Sequence, residues 1–465
     1  MTDERTQAVE ALVFGDMPTA FAQPGHPGFH LTAPSHFTID FWGAVKHEGY
    51  YHILYHVCPE SGGFQETTYF FHSRSQDLIH WEMLPIPIAP QAHELRMNDG
   101  CICFDGQGTP VMLYTSVPRD PHVMRSHCAA YGTADLLRFT RIEGNPFMTL
   151  ENHGGPDFQG GWSDPYVFTA QGRTFLLMSK CVTRDGRNLL PIYGAADDTM
   201  LRWTYKGILF DNNGEVVNFF KLGSKWVLIY SPYSTIEYFV GDFDLEHLRF
   251  LPQHHGILSY GYHSQSDPFD RGFYATCLYQ EPNRTVLCGW ISGFEANEYW
   301  DGCMGVPRAL GINDRLELTQ TPIEELKTLR TGQVAARKQN NVLLFDAQHD
   351  LLDLEIQYHC PGEGEIRVEI FCGDWIPLSI GITKQGFSVN GEDYPCKLPG
   401  GDSGSLRLLI DRTVAELFFG DGSVCATRCF PYIGKTPTAS ICCLGGAQLR
   451  SADCWTLREF SITRA

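Results

Sequence analysis

A chain of 465 residues with a formal net charge of -19 is too long for one ordinary hydrophobic core, and too acidic to favour nucleic acid or an anionic membrane surface as partner. Its 43% hydrophobic and 19% charged content excludes a disordered polymer and fits two globular domains. Aromatic content of 13%, with 46 Gly and 27 Pro, favours many short strands joined by tight turns over long helices.

In chain order, residues 1–25 show no basic region followed by an apolar run, and they read as an irregular N-terminal arm. Strand signals then dominate to about residue 320. Tyr51–His56, Pro110–Thr115, Thr174–Ser179, Trp226–Ser231 and Thr285–Ile291 are each short and rich in β-branched and aromatic residues. A weak repeat runs through them. Asp77-Leu-Ile-His-Trp81 returns as Asp135-Leu-Leu-Arg-Phe139, as Thr199-Met-Leu-Arg-Trp203 and loosely as Asp244-Leu-Glu-His-Leu248, roughly 45 to 65 residues apart. Such a period in an all-β chain predicts propeller blades, and the span fits five. Residues 321–335 predict a short helical linker, with Pro322 early and acids in the first turn. Beyond it Glu365–Phe371, Leu406–Asp411 and Val414–Phe419 alternate like half-buried antiparallel strands. The expected fold is therefore all-β: an arm (1–25), a five-bladed β-propeller (26–320), the linker (321–335) and a β-sandwich (336–465).

The sixteen cysteines include Cys101 and Cys103, which share a strand face, and the vicinal Cys442-Cys443. No Cys-x-x-Cys pair has a matching partner, which argues against zinc. We read them as reduced core residues of a cytoplasmic protein, and no run of about 18 apolar residues offers a membrane span. His254, His255 and His263 lack convincing ligand spacing, so no metal is expected.

Three acids stand in apolar, aromatic surroundings: Asp40 before Phe41-Trp42, Asp164 between Trp162-Ser163 and Pro165-Tyr166, and Glu215 before Val216-Val217. Carboxylates are costly to desolvate, so three such placements predict one carboxylate-lined pocket. Cleaving a glycosidic bond commonly takes two carboxyls, one attacking the sugar and one protonating the leaving oxygen. A third can hold sugar hydroxyls. Asp40 suits the nucleophile, and the neighbours of Glu215 suit an acid of raised pKa. Singly, each has an ordinary reading: Asp-Pro often starts a turn, and the other two pass as turn or loop acids.

Together these segments resemble glycoside hydrolase family 32, the fructan hydrolases and invertases, from about His30 to Pro431. Thr38-Ile39-Asp40-Phe41-Trp42-Gly43 falls on the family's Met-Asn-Asp-Pro-Asn-Gly, Ser163-Asp164-Pro165 on Arg-Asp-Pro, and Glu215-Val216-Val217-Asn218-Phe219-Phe220 on Glu-Cys-Pro-Asp-Phe-Phe. Ser75-Gln76-Asp77-Leu78-Ile79-His80-Trp81, Phe273-Tyr274-Ala275, Val306-Pro307-Arg308-Ala309-Leu310 and Ile410-Asp411-Arg412 match later motifs. The resemblance implies a five-bladed propeller with a sandwich and a retaining mechanism. It implies Asp40 as nucleophile, Asp164 as transition-state stabiliser and Glu215 as general acid/base. Departures gather near the sugar pocket: Ile39 and Trp42 replace two Asn, Phe41 a Pro, Ser163 an Arg, Val216 a Cys and Gly272 an Asp. Sugar contacts are expected at Phe37, Ile39, Trp42, Ser163 and Trp300.

The expected activity is retaining hydrolysis of β-fructofuranosidic bonds in sucrose, inulin, levan or short fructosides, without a cofactor. The alternatives are hydrolysis or transglycosylation of another furanoside or fructose derivative, or non-catalytic carbohydrate binding. The expected partner is a small carbohydrate, with the sandwich shaping a homo-oligomer or an extended subsite.

Overall fold

Short alternating segments cannot hide an apolar face alone, so they pair into small sheets that pack on one another. The computed structural model describes residues 4–59, 67–212, 214–261, 272–295 and 297–464. Up to Pro322, the strands form five consecutive antiparallel sheets that begin with His36–His47, Glu94–Phe104, Phe158–Ala170, Glu215–Leu222 and Gly272–Gln280. Each of these first strands contacts the first strand of the next sheet, and the fifth contacts the first, so the five close a ring.

The sequence repeat marks one turn of this architecture. Asp77-Leu78, Asp135-Leu136 and Thr199-Met200 connect the third and fourth strands of their sheets, with Leu78, Leu136 and Met200 at φ of 64°, 60° and 63°. Asp77 Oδ1 accepts N–H bonds from Ile79 and His80 at 2.9 and 2.8 Å, and so supports the left-handed turn. Leu248 and Leu316 (φ 54° and 61°) occupy the same turn in the fourth and fifth sheets. The fifth copy is hidden in sequence because Asn313 replaces the acid; its Oδ1 accepts from the N–H groups of Arg315 and Glu317.

The remaining strands build two facing sheets of six and seven strands over a core of alternating residues such as Leu352, Leu354 and Ile356 against Ile366, Val368 and Ile370. Three boundaries differ from expectation. The N-terminal arm is not irregular: Glu4–Phe21 is an α-helix. Its Val9, Val13, Phe14, Met17 and Phe21 recur at helical spacing and pack on the main core, and Ile86 N–H donates to Glu10 Oε1 at 2.6 Å. Gly15 and Pro18, poor helix residues, mask that pattern in sequence. In the linker only Glu324–Leu329 is helical, as a 3-10 turn, and Arg330–Gln333 already pairs within the six-stranded sheet. At the other end Ser461–Arg464 leaves the sandwich and pairs in parallel with His80–Leu84 on the edge of the first sheet.

No disulfide joins any of the sixteen cysteines, all of which lie among the described residues. Among the described residues no helix is long and apolar enough to cross a membrane.

Candidate active site

Every inner strand carries a bulge at the same level of the ring. Pairing skips Asp40 in the first sheet, Asp99 in the second, Asp164 in the third and Ala275 in the fifth. In the fourth, Val216 and Val217 together face one partner residue directly after Glu215. Bulges re-aim side chains that regular pleating would send into the sheet packing. Asp40, Asp164 and Val216 take left-handed φ values of 39°, 54° and 51°, a cost that non-glycine residues bear chiefly at functional sites. At Asp99 the bulge instead brings its neighbour close to the facing strand. A Cβ on Gly100 would lie 1.8 Å from the Leu113 carbonyl oxygen, so only glycine fits.

Hydroxyls on the second strands hold these bulges across the sheet junctions. The N–H of Asp164 donates to Thr115 Oγ1 at 3.0 Å, that of Val217 to Ser179 Oγ at 3.3 Å and that of Ala275 to Ser231 Oγ at 3.3 Å. The result is one cavity lined by Asp40, Asp99, Asp164 and Glu215, together with Ile39, His56, Thr68, Arg96, Asn98, Arg125, Lys180 and Val216.

Four carboxylates share this space. Asp99, Asp164 and Glu215 are buried at 4%, 6% and 5% exposure, while Asp40 is half-buried. Burial, reinforced by the charges of Asp99 and Glu215, pushes the Asp40 carboxyl well above the usual range. Burial likewise raises Asp99, with Asp164 and Glu215 adding to it. Burial also raises Asp164, against the pull of Lys180. Lys180 forms an ion pair with Glu215, and Tyr233 donates its hydroxyl to Glu215 Oε2 at 2.6 Å. Although burial opposes its charge, Glu215 and Asp164 hold the Lys180 ammonium above its ordinary value. Burial pushes the Tyr233 and Tyr274 phenols up, with Glu215 as the next cause. Tyr274 in turn accepts the Tyr233 N–H at 2.8 Å, which fixes that loop over the cavity.

Of the eight residues singled out in sequence, the cavity gathers Asp40, Asp164, Glu215 and Ile39. Ser163 is buried beside Asp164 and pairs with Ser179, outside the cavity lining. Trp42 points to the other side of its strand. It packs edge-on against Phe70 at 4.5 Å and lines the continuation of the central channel. Phe37 packs edge-on to Trp290, and Trp300 packs among His26 and Phe294; neither lines the acid cavity. Of the apolar neighbours of Glu215, Val216 lines the cavity, whereas Val217 and Phe219 enter the sheet packing, and the carboxylate itself meets Lys180 and Tyr233. Of the histidines, His255 stacks on Phe239 and bonds Glu237, His254 meets Tyr238, and His263 lies outside the described residues.

Sequence reading missed Asp99, His56, Lys180, Tyr233 and the two arginines. Asn98-Asp99-Gly100 looks like a hairpin turn, and Lys180 and His56 sit inside ordinary strand runs. The available signal was a fourth acid followed by glycine at the start of the apolar run Cys101–Phe104.

An all-β ring of sheets joined to a sandwich, with a carboxylate-lined pocket where the inner strands bulge, defines a glycosidase-type site. Residues 30–322 match the model of the glycosyl hydrolases family 32 N-terminal domain, and the chain belongs to that family. It is 24% identical to a sucrose-6-phosphate hydrolase of Zymomonas mobilis, over 94% of this chain and 93% of that protein. It is also 24% identical to a levanase of Bacillus subtilis, over 85% of this chain and 65% of that enzyme. The fold superposes on the family 32 β-fructofuranosidase of Bombyx mori with a TM-score of 0.81 and 19% identity, covering 99% of this chain and all of that one. The chain is thus a glycoside hydrolase with the propeller-and-sandwich architecture.

Proposed function

We propose that this protein is a retaining hydrolase of β-fructofuranosidic bonds, built on a five-bladed propeller (26–320) and a sandwich (336–465). The closed ring of five inner strands and the five copies of the left-handed turn support the blade count. The observation that carries the function is the convergence of Asp40, Asp164 and Glu215, from three separate sheets, on one cavity through three bulges. Glu215 protonates the leaving oxygen as Asp40 attacks the anomeric carbon, forming a glycosyl ester. Glu215 then takes a proton from the incoming water, and Asp40 departs as carboxylate. Lys180 and Tyr233 hold Glu215 in place for both transfers. Asp164, whose Oδ2 accepts the Val216 N–H at 3.4 Å, faces the sugar hydroxyls.

The contacts that Ile39 and Ser163 do not make are supplied here by His56, Thr68, Arg96 and Asn98. Arg96 and Arg125 on the lining favour a substrate bearing an anionic group, in keeping with the name of the Zymomonas relative. The test is fructose release from sucrose, sucrose 6-phosphate, inulin and levan, by wild type and Asp40→Ala. Turnover of at least one that Asp40→Ala abolishes is expected. Wild-type rates in Asp40→Ala would end the mechanism, and no release at high enzyme concentration would leave another furanoside, transfer or binding alone. Nine of the sixteen cysteines are buried core residues, which supports a reducing, cytoplasmic setting.

A further inference from the structure

The closed ring of sheets repeats one device at its junctions. A hydroxyl on the second strand of one sheet accepts a backbone N–H from the bulge of the next: Thr115 from Asp164, Ser179 from Val217 and Ser231 from Ala275. A hydroxyl turns about its C–O bond, so by itself it fixes little. At Thr115 that rotation is held. Thr115 faces His127 on the neighbouring strand Ser126–Gly132, and its Oγ1 meets His127 Nδ1 at 3.2 Å. In either tautomer of the imidazole, that bond leaves a lone pair of Oγ1 for the Asp164 N–H. His127 is fixed in turn. Its N–H donates to the Met148 carbonyl and its carbonyl accepts from the Phe147 N–H, both at 2.9 Å. The Trp162 ring meets the imidazole edge-on at 4.2 Å, and Trp162 lies two residues before Asp164 on the strand Phe158–Ala170.

If packing were its only task, a histidine would be a poor choice here. His127 is fully buried, and its Nε2 has no hydrogen-bond partner among the described residues. An aliphatic side chain would fill the space without that penalty. Burial, with the charges of His153 and Arg125 adding to it, holds the imidazole down to about 3. It is therefore neutral near pH 7 and acts on its neighbours by shape and hydrogen bonding, not by charge. What it supports is a carboxylate on strained backbone. Asp164 sits at φ of 54°, and Ser179 Oγ adds a second hold by donating to the Asp164 carbonyl at 3.5 Å. A left-handed aspartate persists only where its surroundings fix it, and a bulge that relaxes turns its side chain away from the cavity. Resting on the proposed role of Asp164, we propose that His127 is a positioning residue for this reaction: through the Thr115 hydroxyl it holds the Asp164 bulge and so aims that carboxylate at the sugar hydroxyls. His127 itself lies outside the acid cavity lining.

The experiment measures kcat, KM and Tm on whichever sugar of the fructose-release panel the wild type cleaves. The variants are His127→Leu, Thr115→Val, the two combined, Thr115→Ser and Asp164→Asn. His127→Leu keeps an apolar contact on Trp162 and removes the nitrogen, while Thr115→Val keeps the side-chain shape and removes the hydroxyl. Each of these two should lower kcat on the order of 10-fold. KM should stay within about twofold, because a stabiliser acts mainly in the transition state. Thr115→Ser, which keeps the hydroxyl, should restore most of the loss. Added to Thr115→Val, His127→Leu should cost less than about twofold more, since its route is already cut. Equal losses in both backgrounds, or wild-type kcat in the two single variants, overturn the proposal. So does a lowered Tm with kcat unchanged, the mark of a purely structural role. If His127→Leu does not fold, His127→Gln, whose amide reaches the Nε2 position and not Nδ1, replaces it in the same cycle. Wild-type kcat in Asp164→Asn would sink the role of Asp164 itself, and no turnover of any sugar would sink the hydrolase reading. An impaired Asp164→Asn beside unimpaired His127→Leu and Thr115→Val sinks only the role of His127.

Discussion

Two buried clusters of charge lie in this molecule, and they are built on opposite terms. Where the ring of sheets meets the sandwich, His30 bridges Asp411 at 2.7 Å and Glu416 at 2.9 Å. Arg308 pairs with Glu416 and donates to Gln320 at 2.9 Å, and the N–H groups of Gly28, Phe29 and Val306 complete the acceptors. Two cations meet two anions, and all four side chains are fully enclosed. Burial opposes the His30 charge, yet the bonds to Asp411 and Glu416 raise it to about 9. Burial opposes the Asp411 and Glu416 charges too, yet His30 with the Gly28 and Phe29 N–H groups holds Asp411, and Arg308 with His30 holds Glu416, below their usual values. In the cavity, four carboxylates share chiefly Lys180, and burial lifts Asp40, Asp99 and Asp164 upward. The junction resolves its charges and so joins the two domains. The cavity leaves its charges unresolved, which a reacting sugar can then use.

That contrast breaks or sharpens under four measurements. The largest effect belongs to the cavity: Asp40→Ala or Glu215→Gln should cut kcat on the order of 10⁴-fold, with the melting transition retained. A loss of fold along with activity would mean that these acids are structural. At the junction, Arg308→Met leaves Glu416 and Asp411 with His30 alone between them and should cost about 3–5 kcal/mol, read from urea midpoints, with KM unchanged in the protein that remains folded.

The third measurement is pH. The folded His30 value of about 9 lies above the ordinary 6.5, so its contribution is whole below pH 6.5 and is lost as pH rises through about 9. At about 1.4 kcal/mol per unit, roughly 3 kcal/mol of stability should fade across that window, and His30→Gln should flatten the curve. The two carboxyls have the opposite sign: their contribution holds above the ordinary carboxylate range and fades as pH falls through their lowered values. The smallest effect is a gain. Asp164→Asn removes a buried carboxylate of raised pKa and should stabilise by about 1 kcal/mol at neutral pH while activity falls. A destabilised Asp164→Asn would show the cavity to be as well balanced as the junction.

Much of this was legible in the chain. Alternation named the strands of both regions, and the Asp-Leu-x-x-aromatic repeat marked the third-to-fourth turn of three sheets. The isolated acids Asp40, Asp164 and Glu215 stood out because their neighbours are apolar. The helix at Glu4–Phe21 was legible in principle from Val9, Val13, Phe14 and Met17, but Gly15 and Pro18 obscured it. Trp42 and Trp300 read as sugar contacts in sequence, and their neighbours in space are Phe70 for one and His26 and Phe294 for the other.

By itself, the sequence determined which segments are strands, where they turn and which carboxylates must be explained, because those depend on local periodicity and on the cost of burying charge. Only the tertiary structure decided which side chains share the cavity. A bulge reverses the side-chain alternation by one residue, so adjacency in sequence says little about the face a residue joins. Asp99, His56 and Lys180 reach Asp40 and Glu215 because five inner strands close a ring, and closure is a property of the whole chain.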